Sequence, residues 1–485
     1  MILKKILALL MAILICLGAV GCAEDYKDAF IYIEFTSRPS TLDPQLANSV
    51  EELTVTRSLF DTLLRYDDEG KIVPSAAESF SKKGNTYTFN LKRDAAWTDG
   101  TPLTAHDFVF GITRAVSPET KAPYANSLFA IKGARSINEG AISAEKLGVS
   151  ATDDYTLTIT LETDDSEFEK VLTTSVAMPC NENYFYSCKG KYGLTLDTTP
   201  SCGSYYVRKW TKEDKFLIRL AKNLNFKGNF EANSMRIYFT CSDKDKVDML
   251  NNDNTDLAFL PTDLVDTVKE NGYNVLSVED TCYALCISNG ITPEIRQALI
   301  QSIAPSSYAE CLMSTQAVAE SLYPKKVAVS GEKVSGYITH SQQDSALLYA
   351  QAILNEDKTS VVPLKYISGA TQQNVAKALA AHWQQTLSCF INIEEIATYS
   401  SPFSDEKSIM LVPFKSTTGT LSAYHSELGF DTVSSAEVSS NLYGNYLCYP
   451  LYFSSTNIGI GYKIKNLETS VHNGIIDVSR LIKQQ

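Results

Sequence analysis

The sequence predicts an α/β protein built from two or three domains, and three observations lead there. The chain is 485 residues long, and globular domains usually run to about 100–200 residues. Its composition, 44% hydrophobic and 20% charged, suits a chain that folds around buried cores and excludes global disorder. From about residue 235 to residue 396, β-rich segments alternate with amphipathic helical ones, the pattern of an α/β lobe.

The first segment reads as targeting. Residues 1–5 are basic and residues 6–17 apolar, and Gly18, Ala19, Val20, Gly21 and Cys22 follow, which is the arrangement of a secretory signal. A Cys directly after Ala-Val-Gly resembles a bacterial lipobox, in which that Cys is acylated and becomes the first residue; Ala19 stands where Leu is usual. The apolar stretch is shorter than the ~20 residues of a spanning helix. The expectation is a signal peptide over 1–21, a lipid anchor on Cys22 and a polar tether over 22–29, holding the protein on the extracellular face of the cell membrane. Net charge is −13, and cleavage before Cys22 removes Lys4 and Lys5 to leave −15. Nucleic-acid binding needs a basic face, so that class is excluded.

The body of the chain follows in order. Residues 30–35 are β-rich, a first strand, and SRPSTLDP from Ser37 is a proline-bounded loop. Over 52–66 the apolar residues Leu53, Val55, Leu59, Phe60, Leu63 and Leu64 fall at helical spacing, predicting one helix with a buried face. YDDEGKIVP breaks it in a turn around Gly70. Residues 85–93 place Tyr87, Phe89 and Leu91 on one side of a half-buried strand. DAAWTDGTPLTAHDFVFGITRAVSPETKAPYA, from Asp94, then carries a reversal at Asp99-Gly100 and a helix start. Thr104 as N-cap with Asp107 three residues on is a near capping box, and Phe108, Ile112 and Ala115 share a helical face. Thr104 and Asp107 are therefore read as caps and not as a catalytic pair. Strands are predicted at 155–161, at 200–210 with a hairpin partner at 215–220, at 235–240 and at 257–260. Helices are predicted at 293–304, with Pro293 in the first turn, and at 344–354 and 372–387, with strands at 361–366 and 390–396.

The chemistry-bearing residues argue against catalysis. Ser79-Phe-Ser-Lys82 and Ser404-Asp-Glu-Lys407 match S-x-x-K without the companion elements of a penicillin-interacting site. His106, His340, His382, His425 and His472 form no metal-hydrolase motif, and no nucleophile elbow or phosphate loop occurs. Cys180, Cys188, Cys202, Cys241, Cys282, Cys286, Cys311, Cys389 and Cys448 remain once Cys16 and Cys22 are set aside. An odd number leaves at least one free thiol, and these cysteines read as buried small hydrophobes with room for one or two disulfides. No CxxC occurs and Cys282–Cys286 has no paired His, so neither a zinc site nor a cofactor is expected.

Several runs together resemble one family. TLDPQLANSVEELTVTRSLFDTLLRYDDEGKIVPSAAESF, YTFNLKRDAAWTDGTPLTAHDFVFGITRAVSPETKAPYA, LGVSATDDYTLTITLE, SCGSYYVRKW, TDLAFLP and IRQAL are similar to the peptide/nickel (family 5) extracellular solute-binding proteins, receptors of ABC importers. The resemblance covers roughly residues 40–300, and the run from Trp97 to Phe108 is its most specific part. It implies a periplasmic-binding-protein-like two-lobe α/β fold with an extra inserted domain. Domain I would take 30–59, 178–275 and 446–485, domain II the insertion 60–177, and domain III the α/β lobe 276–445, with hinge crossings near 276 and 445. It further implies a non-enzymatic monomer that captures a peptide or other small solute between its lobes and delivers it to ABC permease subunits. By the same resemblance Asn48, Ser49 and Val50 align with a loop that pairs with the ligand backbone, and Tyr124 with a ligand-contacting Tyr. Oligopeptide-binding members carry a Trp-containing run ending near Ala-Asp-Tyr, whose Asp pairs with the ligand amino group. Residues 409–431 here have no Trp and no Ala-Asp-Tyr, leaving Glu427 and Asp431 as the acids of that region.

Overall fold

The computed structural model describes residues 30–484 apart from 212–215, 229–231, 233, 240–241, 253, 328–332, 356–361, 400, 416–418, 431–433 and 473–474. Cys22, Cys241 and Asp431 lie outside the described residues. The chain enters as strand β1 (Phe30–Phe35), whose apolar residues are buried. Helix α1 (Val50–Leu59) follows and stops earlier than its apolar spacing predicts. Phe60 is already extended (φ −121°, ψ 137°), and the residues that were expected to prolong the helix form strand β2 (Leu64–Tyr66), paired with β3 (Ile72–Pro74). The Asp61 carboxylate supplies the competing bonds, accepting the Thr62 N–H at 2.9 Å and the Ser75 hydroxyl at 2.5 Å. Phe60, Leu63 and Leu64 are buried all the same, so the apolar spacing reported burial correctly and conformation wrongly.

The inserted domain is an antiparallel sheet of β4 (Ala77–Lys83), β5 (Thr86–Leu91), β6 (Val149–Asp153) and β7 (Thr156–Thr160) in the order β4-β5-β7-β6. Tyr87, Phe89 and Leu91 all face its core. The reversal at Asp99-Gly100 is present: Gly100 has φ +90°, and the Trp97 N–H donates to the Thr101 carbonyl at 2.8 Å. Helix α2 (Ala105–Val116) starts on a capping box made by Thr104 and Asp107. The Asp107 carboxylate accepts from the Thr104 N–H at 2.8 Å, the Thr104 hydroxyl at 3.1 Å and the buried Trp97 indole at 3.4 Å. The conspicuous run around Trp97 is thus joined to the helix it precedes. Gly111 lets α2 lie directly on the returning chain, because a Cβ there would stand 2.3 Å from the Met178 carbonyl oxygen.

Strands β8 (Tyr205–Thr211), β9 (Phe216–Lys222) and β10 (Ser234–Phe239), helix α3 (Asp243–Asn251) and strand β11 (Leu257–Leu260) complete the outer part of the first lobe. Strand β1 lies parallel between β10 and β11. Strand β12 (Asn274–Ile287) then leaves this lobe, and helix α4 (Pro293–Ser302), strand β13 (Ala317–Val318), helix α5 (Gln342–Asn355), strand β14 (Leu364–Ile367), helix α6 (Ala370–Leu387), strands β15 (Ile393–Ile396) and β16 (Ile409–Lys415), and helices α7 (Leu421–Glu427) and α8 (Ser435–Gly444) build lobe III. Strand β17 (Cys448–Ile460) returns. One sheet runs through both lobes in the order β15-β14-β16-β12-β17-β11-β1-β10-β9-β8, with β13 on β17.

The two lobes have separate cores, and β12 and β17 pass from one to the other. Val278 and Ile458 belong to the first, Cys282 and Tyr452 to the second. The β12–β17 register slips between Glu279 and Thr281, leaving Asp280 as a bulge. Asp280 is buried and accepts hydroxyl hydrogens from Thr281 (2.8 Å) and Thr456 (2.7 Å), with Lys415 Nζ at 3.4 Å. The second crossing falls between residues 452 and 458, downstream of the expected 445, because Leu447 to Tyr452 are packed into the lobe III core. Residues 446–452 therefore stand with lobe III, where the sequence assigned them to domain I.

All eight described cysteines are thiols, and all but Cys311 are buried. Burial pushes the Cys282, Cys286 and Cys202 thiols well up, which keeps them protonated and sluggish. Cys286 and Cys448 face each other across β12 and β17 with sulfurs 3.8 Å apart. The adjacent Ile287 N–H donates to Leu447 O, so Cys286 and Cys448 form the non-hydrogen-bonded pair. Such pairs have Cα atoms about 4.5 Å apart, within the ~4.4–6.8 Å span of disulfides. Slow oxidation by a small-molecule disulfide is expected to couple these two first; peptide mapping by mass spectrometry should find that cross-link ahead of any other, and C448S should abolish it.

Candidate ligand-binding site

One carboxylate organises the loop between β1 and α1. Glu52 is 3% exposed. It accepts the Ser40 N–H (2.7 Å) and hydroxyl (2.6 Å) and the N–H groups of Thr41 (3.2 Å), Asn48 (3.0 Å) and Ser49 (3.3 Å). The Ser49 hydroxyl accepts the Glu52 N–H at 3.1 Å, closing a capping box at the start of α1. Burial alone would push the Glu52 carboxyl up; the bonds from Ser40, Asn48 and Ser49 outweigh it and hold the group below the ordinary glutamate range.

A second anchor reaches the same loop from the inserted domain. Arg114 of α2 donates to both Asp43 oxygens, at 2.6 and 3.3 Å, and to Gln45 Oε1 at 2.8 Å, with the Phe185 ring 4.2 Å from its guanidinium carbon. Burial opposes the Arg114 charge, and the Asp43 carboxylate beside it more than compensates. Gln45 Nε2 donates onward to the Met178 carbonyl at 3.0 Å. Asn48, Ser49 and Val50 thus follow a loop fixed from both sides.

Tyr124 meets this loop: its hydroxyl donates to the Asn48 carbonyl at 2.9 Å, bringing together two parts of the expected site that are 76 residues apart. The N–H groups of Asn48 and Ser49 are already taken by Glu52, and the Ser49 carbonyl by the Leu53 N–H. Those main-chain groups are therefore engaged inside the protein. The Asn48 side chain is exposed and makes no hydrogen bond among the described residues. The 3₁₀ turn Ala125–Leu128, directly after Tyr124, packs against α7 of lobe III. In that turn Asn126 Oδ1 and Ser127 Oγ are buried without hydrogen-bond partners among the described residues. Across the seam the Leu421 N–H, at the start of α7, donates to Glu167 Oε2 of the inserted domain at 3.1 Å. Glu427 ends α7 at the surface, and desolvation by the surrounding protein pushes its carboxyl above the ordinary value.

Glu52 was legible as Ser-x-x-Glu at residues 49–52, a capping-box pattern. The roles of Arg114 and Glu167 had no local signal, because their partners are 71 and 254 residues away. An apolar cavity of about 640 Å³ lies inside lobe III among Ile295, Leu299, Tyr349 and Leu387, and none of Asn48, Ser49, Val50 or Tyr124 lines it. Among the described residues no group of three His, Cys, Asp or Glu side chains is placed to hold a metal ion, and no helix is long and apolar enough to cross a membrane.

Two lobes joined by paired crossing strands, with an inserted domain against one of them, define a solute-binding protein. Residues 71–451 match the bacterial extracellular solute-binding proteins, family 5, and the chain belongs to that family. It is a receptor and not an enzyme. It is 35% identical to the periplasmic oligopeptide-binding protein OppA of Escherichia coli over 185 residues, 38% of this chain and 34% of that protein. It is 26% identical to the oligopeptide-binding protein OppA of Bacillus subtilis over 416 residues, covering 78% of this chain and 73% of the relative. The structure of Listeria monocytogenes OppA bound to peptide shares the fold, with a TM-score of 0.76 at 18% identity over 94% of this chain and 99% of that one.

Glu52→Ala is expected to lower stability at neutral pH by about 2–3 kcal/mol, read by urea unfolding. A carboxyl held low when folded contributes fully above its unfolded value of ~4.3 and loses that contribution as pH falls through the folded value. The stability profiles of variant and wild type should therefore converge only in acid.

Proposed function

We propose that this protein captures peptides between its lobes and hands them to an ABC importer, while Cys22 anchors it by lipid to the outer face of the cell membrane. The observation that carries the peptide reading is the hydrogen bond from Tyr124 to the Asn48 carbonyl, which joins the two expected ligand-contacting segments at the seam with lobe III. The oligopeptide-binding relatives and the peptide-bound neighbour support the same ligand class. Peptides suit such a seam physically. Their repeated N–H and C=O groups offer main-chain hydrogen bonds independent of sequence, and closure removes the water that would compete for them. The exposed Asn48 side chain is the donor and acceptor offered there. The Met1–Gly21 segment, with Lys4 and Lys5 ahead of an apolar run and Cys22 directly after Gly21, supports the anchor.

A random pool of short peptides, offered to the purified protein and read by native mass spectrometry and calorimetry, should give stoichiometric adducts. Silence across the pool would instead favour a surface lipoprotein that keeps the shell for signalling or scaffolding. Tyr124→Phe frees the Asn48 carbonyl and loosens this seam; it should weaken capture about two- to tenfold, with stability falling by no more than about 1 kcal/mol, the worth of one exposed hydrogen bond. Cys22→Ala should move the protein from the membrane fraction to the medium in fractionated cells; retention would contradict the anchor.

A further inference from the structure

We propose that Glu167 is the closure residue of this receptor: set on the inserted domain, it holds lobe III shut through the Leu421 N–H and so sets ligand affinity without touching ligand. The inference rests on the receptor reading above.

The two carboxylate oxygens have different partners. Oε1 pairs with Lys170 one turn on, inside the same domain, and Oε2 accepts the Leu421 N–H at 3.1 Å from lobe III. The backbone on either side is fixed too: the Glu167 N–H donates to Asp165 Oδ1 at 2.8 Å, and its carbonyl accepts the Lys170 N–H at 2.9 Å. The carboxylate is therefore aimed from within its own domain, whether or not lobe III is present to receive it.

The receiving group moves with the other lobe. Tyr424 of α7 donates its hydroxyl to the Leu322 carbonyl at 2.5 Å, and His425 lies 3.0 Å from the Tyr323 hydroxyl, all within the lobe III core. Leu421 is the first residue of α7, so its N–H has no acceptor within the helix, and the Thr420 side chain makes no cap bond to it. Glu167 thus serves as the missing cap, supplied from across the seam. Rotation about the Asp280 bulge would part the two groups, leaving the N–H and the carboxylate oxygen to water. Only the closed form contains this bond, and an interaction that differs between two conformations shifts the balance between them. Glu167 is 30% exposed, so the shift is modest.

The test uses Glu167→Ala and Glu167→Gln in the full mature chain. Ligand-free small-angle scattering should show Glu167→Ala with a larger radius of gyration than wild type, and Glu167→Gln between them. Affinity for any peptide captured from the pool should fall about two- to tenfold in Glu167→Ala, with the melting temperature unchanged. Superimposable scattering curves for wild type and Glu167→Ala would overturn the proposal, as would a loss of affinity that only tracks a loss of stability. If wild type captures no peptide at all, the receptor reading fails and scattering alone decides the role of Glu167.

Discussion

Everything in this fold hangs from the antiparallel ladder between β12 and β17. It runs from Asn274 opposite Ile460 to Cys286 opposite Cys448, and among the described residues no other pair of strands belongs to both cores. At one end β11 extends it into the first lobe, and at the other β16 extends it into the second. A two-stranded ribbon resists stretching and shear along its length but twists and bends at an irregularity. Of the ladder's two register shifts, the one at Asp280 lies where one hydrophobic core ends and the other begins, and the one between Tyr283 and Ala284 lies within lobe III. Two separate cores joined by one ribbon concentrate any turning of one lobe against the other at the Asp280 bulge.

Within each body, polar order comes from a few buried carboxylates. Glu52 gathers five donors from a loop with no regular structure of its own. Asp43 is buried opposite Arg114, and Asp280 sits inside the bulge among hydroxyls and Lys415. Burying such charges is expensive, and a buried ion pair is weak evidence for added stability. Their value here is conformational: each dictates one arrangement of a segment that burial of apolar area alone would leave undetermined. The loop at Asn48 is held in that way from two directions, by a helix of the first lobe and by a helix of the inserted domain.

Much of this architecture could be read from the residues. β1 and β11 fall where the β-rich runs at Phe30–Phe35 and Leu257–Leu260 lie, and Phe108, Ile112 and Ala115 all point inward from α2. These segments are specified by neighbours in sequence, through alternation, helical spacing, caps and the Asp99-Gly100 turn. What could not be read is set by distant partners. Helix α1 ends at Leu59 because Asp61 and Ser75 bond across a turn, and the second crossing lies near Phe453 because Tyr449 and Tyr452 pack into lobe III. The meeting of Tyr124 with Asn48 was implied only in that both positions aligned with ligand-contacting positions of the family. The engagement of the Asn48 and Ser49 N–H groups by Glu52 had no counterpart in that alignment, because it is fixed by the fold of the loop itself.

The placement of β1 bears on how the chain reaches this form. Its partners begin at Ser234 and Leu257, and the ribbon that completes both cores is not whole until Cys448 to Ile460 has arrived. Contacts so far apart in sequence form slowly, because a long loop must close before any pairing rewards it. A chain emerging N-terminus first therefore displays unpaired strand edges and apolar surface through most of its synthesis. The inserted domain's sheet, by contrast, is assembled from residues 77–160 alone. Its sheet can close before the ribbon does, whereas the joining of the two lobes waits for Cys448 to Ile460.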